Sequence, residues 1–87
     1  MHAKGHKAIT WRERQHMGRV RELDCSLCDR PGPSQAHHIE QQKHYIVIAL
    51  CPECHANWHG TKELWRIRKM DELDALNITI GRLYGAA

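Results

Sequence analysis

The segment Leu50-Cys51-Pro52-Glu53-Cys54-His55-Ala56-Asn57-Trp58-His59-Gly60 constrains this chain more than any other of its length. Cys51 and Cys54 are three apart, so a tight turn brings both thiolates to one point. Pro52 suits the first turn of a helix, where its missing N–H is no loss. A helix is therefore expected from Pro52 to about Trp58, with Gly60 ending it. His55 and His59, four apart, then share one face and can reach one ion.

Upstream, Cys25-Ser26-Leu27-Cys28 repeats the cysteine spacing, with residues 29–50 between the two pairs. Two such pairs match the closed tetrahedral site of a structural zinc, formed by Cys25, Cys28, Cys51 and Cys54. A closed site has no open position for water, so it stabilises the fold and does no chemistry. Disulfides are the competing use of four cysteines, and they belong to oxidising compartments. Met1-His2-Ala3-Lys4-Gly5-His6 is polar and basic, without the apolar stretch of a secretory signal. A redox Cys-x2-Cys pair would not call for a matched second pair. The expectation is a cytoplasmic protein with reduced thiols and no membrane association, since no apolar run approaches a bilayer-crossing length.

A chain of 87 residues without a single phenylalanine makes one thin-cored domain, and such scaffolds need a staple. Four cysteines and eight histidines point to metal as that staple. The net charge of +3 is compatible with a polyanionic partner but is not diagnostic of one.

Residues 1–8 read as a flexible basic tail and 9–87 as a single domain with its core in 25–60. Thr10-Trp11-Arg12-Glu13 fits a capping box and starts a helix, on which Met17, Val20 and Leu23 form a narrow apolar stripe. Asp29-Arg30-Pro31-Gly32-Pro33-Ser34 is turn-rich. Ala36-His37-His38-Ile39 and Tyr45-Ile46-Val47-Ile48-Ala49-Leu50 read as two short strands. Beyond Gly60, Leu64, Ile67 and Met70, then Leu73, Leu76, Ile80 and Leu83, mark helical apolar faces, with Asn77 expected to break them in two. Trp58, Trp65 and Tyr84 are read as core or core-edge residues rather than a base-stacking platform.

Four histidines surround the cysteine pairs. His37 and His38, adjacent on a strand, point to opposite faces. Together with His55 and His59 they suit a second, open site made of imidazoles. An open ion can stabilise charge on a phosphate oxygen, and a neutral histidine nearby can take a proton from water. A second structural zinc, or plain surface histidines, are the blander alternatives. His2, His6, His16 and His44 are read as tail, helix-surface or loop residues.

Cys25-x2-Cys28, Ala36-His37-His38-Ile39, Leu50-Cys51-Pro52-Glu53-Cys54-His55 and His59-Gly60 together resemble the HNH endonuclease superfamily with a four-cysteine zinc. The helix carrying Glu13-Arg14-Gln15-His16-Met17, leading into Leu23 and Cys25, looks like that of phage recombination-enhancement nucleases. This resemblance implies a small α+β fold with a ββα-metal core, a structural zinc and flanking helices. His38 matches the general base. His37, His55 and, one turn later, His59 match ligands of a catalytic divalent ion, which would be Mg²⁺, Mn²⁺, Ni²⁺ or Zn²⁺. Ile46 stands where the family usually has its middle asparagine, which orients the base-bearing segment, and His44, Tyr45 or Asn57 could take that place.

The resulting expectation is a bacterial or phage-encoded endonuclease acting on DNA in recombination or DNA processing. Lys4, Lys7, Arg12, Arg14, Arg19 and Arg21 would contact phosphates without sequence preference. A homodimer or a recombination-complex partner fits the small size. The alternative is a non-catalytic zinc module binding nucleic acid or protein, or a nuclease subunit active only with its partner.

Overall fold

Thr10 begins the first helix as its sequence context predicts. Glu13 N–H donates to the Thr10 hydroxyl at 3.1 Å, and Glu13 Oε1 accepts from the Thr10 N–H at 2.8 Å. The structure, a computed structural model, describes residues 8–85. Lys4, Lys7, His2 and His6 therefore lie outside the described residues. Helix α1 (Trp11–Arg21) leads through the first cysteine pair to strand β1 (Gln35–His38), strand β2 (Val47–Leu50) and helix α2 (Pro52–His59). Helices α3 (Glu63–Ile67) and α4 (Glu72–Tyr84) follow. The fold is small α+β, and no described helix is long and apolar enough to cross a membrane.

The antiparallel hairpin sets the layers, pairing His37 with Ile48 and His38 with Val47. Directly paired residues share a face and neighbours alternate. Ile48 and Leu50 consequently enter the main core beside Cys25, Cys51, Cys54 and Trp65. Val47 and Ala49 pack on Met17 and Val20 of α1 in a second cluster. The second strand is shorter than the apolar run suggests, because Tyr45 and Ile46 lie exposed in the connecting turn.

The loop before β1 folds back on the end of α1. Ser34 N–H donates to Arg21 O and its hydroxyl to Leu23 O, both at 2.7 Å. Gly32 N–H donates to Asp24 Oδ1 at 3.0 Å. A Cβ on Gly32 would stand 2.8 Å from Leu23 O, so only glycine permits this approach.

Three expectations about the C-terminal half need correction. Asn77 lies inside an unbroken α4, and the break falls earlier, at Lys69 (φ 55) and the N-cap Asp71. The capping box of Asp71 with Asp74 is a stronger boundary than a mid-helix asparagine. The buried face of this half also differs: Ile67 and Leu73 are 69% and 67% exposed, while Ala75 and Thr79 are buried. Of the three aromatics, Trp65 is 1% exposed and donates its Nε1–H to Cys54 O at 3.1 Å. Trp58 packs at the core edge, but Tyr84 on the last turn of α4 is 79% exposed.

Candidate metal centres

Each cysteine is placed by backbone geometry that its own neighbours set. Asp29, in the left-handed region at φ 65, donates its N–H to Cys25 O at 3.0 Å and closes the turn around the first pair. Aspartate tolerates that conformation better than most side chains. In the second pair Cys51 is the N-cap of α2, and Cys54 N–H donates to Cys51 Sγ at 3.4 Å. The four sulfurs lie within 4.8 Å of one another, and all four are free thiols.

Spacing and electrostatics both fit a cation at their centre. A tetrahedron of Zn–S bonds near 2.3 Å sets sulfurs about 3.8 Å apart, and Cys28 Sγ to Cys51 Sγ is 3.9 Å. Burial works against the Cys51 thiolate, but the Cys54 N–H and the neighbouring thiols outweigh it and bring Cys51 down to about 7. Burial, then the adjacent sulfurs, push Cys54 strongly up, and burial also raises Cys28. Cys51 ionises readily, while Cys54 and Cys28 resist a second negative charge. A divalent ion removes that conflict by pairing with all of them.

A second cluster lies where β1 faces α2. One ring nitrogen each from His37, His55 and His59 falls within 4.8 Å of the other two. His55 and His59 stand one turn apart on α2, and His37 reaches across from the strand. The site grades outward, from His37 at 4% exposure to an exposed His59. Burial, then the neighbouring His37 and His59, hold the His55 imidazole below its usual range, favouring the neutral form that binds metal.

Two polar side chains orient this cluster. Glu72 Oε2 is 2.6 Å from His37 Nε2, and Gln35 Oε1 is 2.7 Å from His55 Nδ1. His37 Nδ1 and His55 Nε2 are the nitrogens left open to an ion. Neither partner was anticipated from sequence. Gln35 carries a usable signal, since it stands two residues before His37 on the same strand face. Glu72 carries none, because 35 residues separate it from His37 and its position reads as an ordinary acidic first turn.

His38 is not part of this trio. Strand alternation turns it to the α1 side of the hairpin, where its Nε2 is 3.0 Å from His44 Nδ1. Burial, then His44, His37 and Arg21, lower its pKa from the usual histidine value. His44 is thus more than a loop residue. Asn57 is committed elsewhere, its Oδ1 accepting from Leu64 N–H at 2.9 Å, and Tyr45 lies against the ring of His16.

Arg12, Arg14, Arg19 and Arg21 are all exposed on α1. At a helical period they fall into two stripes, Arg12 with Arg19 and Arg14 with Arg21, on either side of the buried Met17 and Val20. They do not form a single patch. Comparison with protein-family profiles, curated proteins and solved structures finds no match to this chain.

Proposed function

We propose that this protein is a metal-dependent endonuclease of the HNH, or ββα-metal, type that hydrolyses DNA phosphodiester bonds. One observation carries the reading: three imidazoles converge from a hairpin strand and the helix after it, and the residue next to the buried one is a second histidine. The motif order of the sequence supports the same reading, including a role in phage or bacterial recombination.

In this reading Cys25, Cys28, Cys51 and Cys54 hold a structural zinc that fixes the start of α2, and with it His55 and His59. A divalent ion held by His37, His55 and His59 would supply charge stabilisation at a phosphate oxygen. His38 takes a proton from the attacking water, and its lowered pKa keeps the imidazole neutral near pH 7. His44 holds the His38 ring, the orienting part that Ile46 cannot play. The Arg14–Arg21 stripe, with Arg21 beside His38, binds the phosphate backbone.

The test is cleavage of supercoiled plasmid and single-stranded DNA with Mg²⁺, Mn²⁺, Ni²⁺, Zn²⁺ or EDTA. Metal-dependent cutting should fall by about 10²-fold or more in a folded His38→Ala variant. Cutting that survives His38→Ala removes His38 as the base. The closed cysteine quartet alone would also serve a non-catalytic binding module. A zinc-loaded wild type that binds one ion and cuts nothing, even as a dimer, favours that module or a partner-dependent subunit.

A further inference from the structure

Glu72 sits apart from the helix-start machinery around it. The capping box of α4 uses Asp71 and Asp74, whose side chains each accept from the other's backbone N–H at 2.9 Å. The Glu72 carboxylate is left over, and it lies 2.6 Å from Nε2 of the buried His37. It is itself only 20% exposed.

The rest of α4 keeps it there. Thr79 Oγ1 is 2.7 Å from Ser26 Oγ and accepts from Ala49 N–H at 3.2 Å. Arg82 reaches Asp29 Oδ1 at 2.5 Å, beside the first cysteine pair. The helix is thus pinned to the cysteine cluster at its C-terminal end and delivers a carboxylate to the histidine cluster at its N-terminal end. Glu72 lies outside the set of ligand atoms within 4.8 Å of one another, so its carboxylate bonds the His37 ring without joining the three imidazoles.

We propose that Glu72 is the positioning carboxylate of the histidine site, tying His37 Nε2 so that Nδ1 faces the ion. The inference rests on His37, His55 and His59 holding an ion. The carboxylate fixes the ring's tautomer and angle. Its negative charge also offsets the charge that a divalent ion brings to an otherwise neutral set of three imidazoles.

The experiment is Ni²⁺ titration by calorimetry of the full chain, with the cysteine site already filled with zinc. Wild type, Glu72→Gln and Glu72→Ala are compared, and thermal melts of the zinc-loaded forms report folding. Wild type should bind one further ion, and Glu72→Ala should bind it about 10- to 100-fold more weakly. Glu72→Gln keeps the shape and an acceptor oxygen but loses the charge, so it should weaken binding less, and it serves if the alanine variant unfolds. Both folded variants binding Ni²⁺ within about twofold of wild type would overturn the role of Glu72 while leaving the histidine site standing. A wild type that takes up no second ion would remove the site and the inference together.

Discussion

Among the described residues, His16 Nε2 is a buried ring nitrogen without a hydrogen-bond partner. Its neutral form tolerates this, because an unpaired acceptor costs less there than a buried charge. Burial first, then Arg19, lower its pKa below the ordinary 6.5, against a backbone hydrogen bond at Tyr45 that raises it. The unfolded chain therefore binds a proton at higher pH than the folded one. Stability from this group is complete above about 6.5 and declines as pH falls below it. Urea midpoints measured from pH 8 to 5 should drop less steeply for His16→Gln than for wild type, and parallel profiles would exclude the effect. Sequence alone places His16 on the helix surface, since Met17 and Val20 define the stripe. The turn carrying Tyr45, packed ring to ring against it at 5.1 Å, covers it. That contact is tertiary and leaves no local trace.

Helices α1 and α2 are legible in sequence because their signals are local: a capping box at Thr10, a proline at the first turn of α2 and a glycine after its last. Helix α4 is not, because its buried face is chosen by what it meets. Thr79 bonds Ser26 and the backbone of β2, and Ala75 fits the core, so small residues turn inward and Leu73 turns out. Asp71 is the residue on which its start depends. Asp71→Ala removes the cap on Asp74 N–H and should lower stability. The urea midpoint of the zinc-loaded protein reads this directly, and an unchanged midpoint would show that tertiary contacts alone set the helix start.

For the whole molecule the cysteine quartet is also the centre of the main hydrophobic cluster, with Cys25, Cys51 and Cys54 fully buried among Ile48, Leu50 and Trp65. The candidate metal site and the core are thus one structure. Structural zinc binding is worth about 10–16 kcal/mol in small domains, as much as the entire stability of a typical one. Removing metal with a strong chelator should abolish the helical circular dichroism signal and make all four thiols reactive, and added zinc should restore the fold. A chelated protein that keeps its spectrum would mean that apolar packing suffices without the ion. Each cysteine pair and the His55–His59 pair are built within one turn or one helix, as their spacing suggests, and His37 joins the latter from β1. Glu72 was invisible because it arrives from another helix, and His44 was one of three candidates for the orienting role that sequence could not separate, because it comes from the far side of a loop.

Strand β1 carries two adjacent histidines that serve opposite sides of the hairpin, one toward α2 and one toward α1. With a side-chain period of two, a single inserted or deleted residue within it would exchange the two faces. His37 would then leave Glu72 and His38 would leave His44 in one step. The spacing of this strand is therefore constrained along with the identity of its histidines. Insertions in related chains should accumulate on either side of it, in the turn-rich loop before Gln35 and in the polar connection after His38, and not between them.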